Sequence, residues 1–205
     1  MKFYLSSYKI GNDVDKLKNL IPKNKKTAYI PNALDFSGDM ERRKQSEAID
    51  VDQLKSVGLD VEVLDLREYF DKQIELEKKI LEFGVIWVRG GNLFVLRQAM
   101  KISGFDNVLK NILKDDILYG GFSAGICVLA PTLRGMDLMD DLTVRPYGDQ
   151  QEVIWDGLNI LDYSIVPHYH SDHPESESAN KAVEYLIENK LLFKALRDGE
   201  VIIIE

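Results

Sequence analysis

The chain predicts an α/β fold on a mostly parallel sheet with helices on both faces, and three observations carry that prediction. Short β-branched and aromatic runs alternate with amphipathic stretches, which is the pattern of βαβ units. Val85 to Val88 is wholly apolar, as a strand covered on both faces should be. Finally, 205 residues with 45% hydrophobic and 29% charged content, 14 Gly and 6 Pro have the composition of an ordinary globular domain, not of a disordered, collagenous or repeat protein.

The elements follow in chain order. Phe3 to Ser6 reads as a first strand and Asn12 to Leu20 as a helix capped near Asn12 and Asp13, with Val14, Leu17 and Leu20 on one face. Thr27 to Pro31 is a second strand. Gly38 to Val57 is a long, charge-rich helix that Gly58 ends. Val61 to Leu66 alternates as a third strand, and Asp71 to Glu82 is a helix with Ile74, Leu76 and Ile80 as partial core. Val85 to Val88 is the fourth strand. Arg89-Gly90-Gly91-Asn92 leads into a helix from about Leu93 to Ile102, and a second helix runs from about Asn107 to Lys114. Leu118 to Gly121 is the fifth strand, and Ile126 to Ala130 starts a helix that Pro131 stops. Leu142 to Val144 and Val153 to Trp155 are expected to pair as a hairpin around Tyr147-Gly148-Asp149. Ser164 to Val166 is a further strand, Glu175 to Asn189 a helix, and Val201 to Ile204 closes the sheet. No Pro/Ser-rich linker or composition break divides the chain, so residues 1–205 are expected to form one domain.

Charge and cysteine content narrow the function classes. Lys and Arg total 26 against 34 Asp and Glu, a net charge of −8, and no basic stripe is visible, which argues against a nucleic-acid partner. The single cysteine, Cys127, excludes a disulfide framework and a four-thiolate zinc site and reads as a small buried apolar residue. No secretory signal and no run of about 18 apolar residues is present, so the expectation is a cytoplasmic protein without a membrane partner.

The chemistry is expected at Gly121-Phe122-Ser123-Ala124-Gly125. This matches the G-x-S-x-G nucleophile elbow, and it lies after a predicted strand and before a predicted helix, as the elbow requires. Small residues at Gly121 and Gly125 let the backbone bend sharply and let the helix pack close. The Ala124 amide then faces the carbonyl oxygen that becomes negative during attack. Gly90-Gly91-Asn92 stands at the end of another parallel strand, the edge where ligands bind, which makes the Gly91 amide the second oxyanion donor and Asn92 a substrate contact or a plain helix cap. A serine nucleophile needs a base, and all three histidines fall in Pro167-His168-Tyr169-His170-Ser171-Asp172-His173. His168 follows directly on an apolar strand, whereas His170 and His173 read as loop residues. The same stretch carries a rival metal-hydrolase reading, with His168 and His170 on one face and Asp172 or His173 completing the shell. No cofactor is expected for the serine reading.

Tyr29-Ile30-Pro31-Asn32-Ala33, Arg89-Gly90-Gly91-Asn92 with Phe94 and Leu96, the Ser123 elbow, Pro131-Thr132-Leu133-Arg134 and Pro167-His168-Tyr169 together resemble the aspartyl dipeptidase (peptidase E) family of serine peptidases. The segments occur in the family's order across nearly the whole chain. The resemblance implies a three-layer fold like that of class I glutamine amidotransferases (flavodoxin-like), with serine in place of their elbow cysteine. It implies cleavage of small peptides, in relatives those with N-terminal aspartate, with Ser123 as nucleophile, His168 as general base, and Gly91 and Ala124 as oxyanion donors. Leu196-Arg197-Asp198-Gly199 resembles the family's Leu-Pro-Glu-Gly turn, which makes Asp198 the candidate acid. A second family proposal puts the acid shortly after Pro-Thr-x-Arg, where this chain has Leu138 at the matching count and Asp137 one place earlier. Val166 replaces an asparagine before Pro-His, Phe122 replaces a tryptophan, and Arg89 precedes the glycine pair, so the pocket is expected to differ from that of typical members. Arg134 is the candidate partner of an acidic substrate group. A homodimer is compatible with this reading, and a non-catalytic module that holds a metabolite on the same fold is its rival from another class.

Overall fold

The structure is a computed structural model and describes residues 1–148 and 152–205. Its strands are β1 (Lys2–Ser6), β2 (Lys26–Ile30), β3 (Asp60–Val63), β4 (Val85–Val88), β5 (Leu118–Phe122), β6 (Ser164–Val166), β7 (Phe193–Ala195) and β8 (Val201–Ile204). The helices are α1 (Val14–Leu20), α2 (Met40–Ser56), α3 (Gln73–Ile80), α4 (Leu93–Ser103), α5 (Phe105–Asn111), α6 (Ala124–Cys127) and α7 (Ser176–Glu188). The main sheet has the order β3-β2-β4-β5-β1-β8, parallel except for β8, which lies antiparallel on β1.

Alternation along the strands divides the core. Tyr4, Tyr29, Val85, Trp87 and Leu118 point to one face and pack with Leu17 and Leu20 of α1 and Leu54 of α2. Phe3, Leu5, Ala28, Ile30, Ile86, Val88 and Tyr119 point to the other, against α3, α4, α5, α6 and α7. The inner strands β1, β2, β4 and β5 thus feed two apolar layers, which is why their middles carry no polar face. Among the described residues, no helix is long and apolar enough to cross a membrane.

The structure departs from the sequence expectations in four places. Among the described residues, Leu142–Val144 and Val153–Trp155 form no hairpin; an antiparallel bridge between Thr132 and Asp156 and bonds from Asn92 to the Asp141 carbonyl and from the Leu93 amide to Asp140 tie the excursion down, and Asp149 of the expected turn lies outside the described residues. Ile74 is 70% exposed, because Leu76 and Ile80 alone are in phase with the core face of α3. The helix after the elbow is a single turn, α6, that ends before Pro131. Finally, β6 does not join the main sheet but pairs in parallel with β7, a three-residue strand too short to signal itself by periodicity.

The parallel strands all end at one edge, and the antiparallel β8 begins there, with Val201 opposite Ser6. The edge therefore collects the residues after β1, β4 and β5 together with the turn that precedes β8. Packing at the elbow is tight. A Cβ on Gly121 would lie 2.6 Å from the Val88 carbonyl oxygen, and one on Gly125 only 2.1 Å from it. Backbone of β4 cannot retreat as a side chain can, so Gly125→Ala is expected to destabilise the fold by about 3 kcal/mol or to prevent folding. A denaturant midpoint unchanged from that of the parent would contradict this.

Candidate active site

Ser123 stands between β5 and α6 with φ 50° and ψ −120°, a conformation that L-residues avoid and that a packed surrounding must impose. The half-exposed side chain faces a cavity of about 130 Å³ lined by Tyr8, Arg89, Gly90, Gly91, Phe122, Ser123, His168, His173 and Glu175. Gly90 borders it closely: a Cβ there would lie 2.8 Å from the Ser123 Cβ. Gly91 has φ 143°, and a Cβ would meet the Ala33 carbonyl oxygen at 2.4 Å, so only glycine fits this turn. The Gly91 amide is not taken by a protein acceptor among the described residues. Neither is that of Ala124, which opens a helix and has no intrahelical partner.

His168 is buried and enters the cavity from the end of β6, itself at φ 61°. Its Nδ1 is 2.7 Å from Asp198 Oδ1, and this pairing with a carboxylate assigns the proton to Nδ1 and leaves the Nε2 lone pair free. Nε2 lies 3.7 Å from Glu175 Oε2, beyond hydrogen-bonding range. Among the described residues no hydrogen bond joins Ser123 to His168; the two share the cavity wall. Ser7 ties the pair together from beneath. Its hydroxyl accepts from the His168 amide (2.9 Å) and donates to Asp198 Oδ1 (2.9 Å). The Asp198 amide in turn donates to Ser171 Oγ (2.8 Å). Burial pushes the His168 imidazole below its ordinary value, and the Asp198 hydrogen bond pulls against that shift, so the ring is neutral near pH 7.

The other candidates lie apart. Asn92 caps α4, its side-chain oxygen accepting from Phe94 and Val95 amides at 3.0 Å, while its amino group donates to the Asp141 carbonyl. It borders a second cavity of about 320 Å³ that shares Gly91 and Glu175 with the first. Arg134 is exposed, with its guanidinium 5.0 Å from the centroid of Trp155, outside the Ser123 cavity. Asp137 is exposed and accepts from the Gly135 amide, whereas Asp198 holds His168. Cys127 is buried, its thiol donating to the Ile165 carbonyl. For a metal, His170 is exposed and stacks on Tyr169. His168, His173 and Asp198 do bring donor atoms within 4.8 Å of one another. However, Asp198 already engages His168 Nδ1, the Glu175 amide engages His173 Nδ1, and in-plane lone pairs of two rings in nearly parallel planes do not converge on one point.

Three neighbours of the site, Ser7, Tyr8 and Glu175, went unread in the sequence, and His173 was read only as a loop histidine or a rival metal ligand. Ser7 and Tyr8 directly follow β1, so the strand-end rule that picked out Gly91 and Ser123 was applicable to them too. His173 and Glu175 lie in a loop, whose path no periodicity specifies. Arg89, noted only as a departure, is buried; it pairs with Asp50 (2.6 Å) of α2 and donates to the Ser46 hydroxyl and its neighbour's carbonyl at Gly90. Tyr29 and Lys9 bond the same Asp50 carboxylate, so this network braces the floor of the cavity.

Comparison with known proteins gives a consistent picture. The model of Peptidase family S51 matches residues 9–205. An uncharacterized peptidase of Listeria monocytogenes is 33% identical over 130 residues, which is 63% of this chain and 60% of that relative's length. The chain spans about half of the length of a related Pasteurella multocida peptidase. A peptidase E of Streptomyces coelicolor is 26% identical over 197 residues, covering 94% of this chain and 73% of the relative. Among solved structures, a Listeria monocytogenes protein provisionally described as a peptidase E superposes with a TM-score of 0.76 at 24% identity, over 99% of this chain and 93% of the other, a likeness of fold.

Proposed function

The chain belongs to peptidase family S51, and from that premise we propose that it is a cytoplasmic serine peptidase of the aspartyl dipeptidase type, hydrolysing short peptides. Ser123 attacks the scissile carbonyl. His168 Nε2 takes the hydroxyl proton and returns it to the leaving amine, while Asp198 holds the imidazole in the required tautomer. The amides of Gly91 and Ala124 stabilise the oxyanion, and water then repeats the sequence on the acyl-enzyme. The observation that carries this reading is the 2.7 Å contact of His168 Nδ1 with Asp198, on the wall of the cavity that also exposes the strained Ser123. Support for a small substrate comes from the size of that cavity, about 130 Å³. Asn92 is then a structural cap, and Arg134 is not a substrate contact.

The test is chemical labelling. A serine-directed fluorophosphonate is expected to modify the protein once, with the adduct on the peptide that contains Ser123. An adduct elsewhere, or none at active-site-directed concentrations, would remove Ser123 from the mechanism and favour the metabolite-binding alternative.

A further inference from the structure

His173 takes no part in the proposed chemistry, yet its ring lies flat on that of His168. The centroids are 3.8 Å apart and the planes differ by 8°. Tyr8 stands edge-on to both rings, at 6.0 Å from His168 and 5.4 Å from His173, with the Lys9 ammonium over its own face. The orientation of His173 is set by one hydrogen bond, donated by the Glu175 amide to its Nδ1 (3.2 Å). A nitrogen that accepts carries no proton, so the ring is the neutral Nε2–H tautomer. Protonation of Nδ1 would break that bond and, with His168 charged, set two cations face to face.

We infer that His173 is a positioning residue for His168, its neutral ring clamping the plane of the base while Asp198 clamps its in-plane direction. The inference rests on the reading of His168 as general base. A base held at one point alone swings about that bond, and a ring laid against its face removes the swing. Small errors of placement of this kind cost catalysis heavily.

The clamp also has an electrostatic side. The groups that face His168 are Asp198 from the turn before β8, His173 and Glu175 from the segment before α7, and Tyr8 after β1, with Arg89 across the cavity. Burial and His173 both disfavour the charged imidazole; Asp198 and Glu175 favour it. Removing the His173 ring takes away part of the burial that disfavours the charged form, so the balance shifts toward protonation and the base is lost at a higher pH.

The experiment is the pH dependence of fluorophosphonate labelling at Ser123, paired with an NMR titration of the His168 ring, in the wild type, His173→Ala and His173→Phe. The wild-type midpoint is expected below the ordinary imidazole value of about 6.5. His173→Ala should raise both the labelling midpoint and the His168 titration by about one pH unit and slow labelling on the alkaline plateau by about tenfold. His173→Phe keeps a flat ring and should recover the plateau to within about threefold. If His173→Ala does not fold, His173→Asn replaces it, since its side-chain oxygen still offers the Glu175 amide an acceptor. An unchanged profile in the stack-deleting variant, or a phenylalanine that leaves the plateau as low as alanine does, overturns the inference. If wild-type Ser123 takes no label at all, the peptidase reading falls instead, and the His168 titrations still decide the clamp.

Discussion

Ser123→Ala is expected to lower kcat/KM on short peptides by at least about 10⁴-fold, or about 5.5 kcal/mol of transition-state stabilisation, while leaving the fold intact. The loss is large because nothing else on the cavity wall replaces the hydroxyl. Cys127, the one thiol, is buried one helical turn away and bonded to the Ile165 carbonyl, and burial pushes its ionisation well up. The fold is spared because the strain at position 123 belongs to the backbone and not to the oxygen. Alanine bears the same φ of 50° that serine bears. Ser123 Oγ is also bonded to no protein group among the described residues, so its removal leaves no buried partner unpaired. Thermal unfolding within about one or two degrees of the wild type, with turnover gone, is the expected pair of results. Retained turnover with a dipeptide panel, with and without amino-terminal aspartate, would contradict the assignment.

The features that drew attention to Ser123 in the sequence are local, and that explains which parts of the site were legible there. The elbow needs small residues at Gly121 and Gly125, a strand before and a helix after, all within a few residues, and the Val88 carbonyl accounts for each glycine. Gly91 was readable for the same reason. The main sheet was legible because β1, β2, β4 and β5 are buried on both faces and so carry apolar runs through their middles. What escaped is non-local or nearly so. Asp198 was reachable only through the family's turn: its contact with His168 depends on β8 running antiparallel to β1, which brings the start of β8 to the edge where Ser123 stands, and no spacing in the chain announces it. Ser7, 161 positions before His168, reaches it across the same edge. The hairpin expected at Leu142 to Trp155 failed because Leu142, Val153 and Trp155 pack against the core instead of pairing with each other, and the Phe70 ring takes Tyr147 edge-on. Arg134, whose charge suited a substrate, stands outside the Ser123 cavity with its guanidinium over the Trp155 ring, a placement its charge does not announce.

Asp198→Asn is expected to cost about 10³- to 10⁴-fold in turnover, second only to losing the nucleophile or the base itself. The reason is tautomeric. A carboxylate only accepts, so it holds the proton on Nδ1 and leaves Nε2 bare toward the cavity. Asparagine presents a donor as well as an acceptor and carries no charge, so nothing obliges the oxygen, which Ser7 and His168 share in the parent, to be the atom that faces Nδ1. The amide NH₂ then turns to His168 Nδ1, the imidazole proton moves to Nε2, and the ring faces Ser123 with a donor where a base is needed. Packing changes little because the two side chains have the same shape, so thermal stability should fall by a few degrees at most. Asp137→Asn is the matched control: its carboxylate is exposed and occupied by the Gly135 amide, and turnover is expected to stay within about twofold of the wild type, as for most surface changes. Were the two variants to exchange these outcomes, the acid orienting His168 would have to come from the Pro131-to-Arg134 side of the molecule. Asp198 would then be left as an ordinary turn residue, and the 2.7 Å contact would describe a resting ring that swings away before reaction.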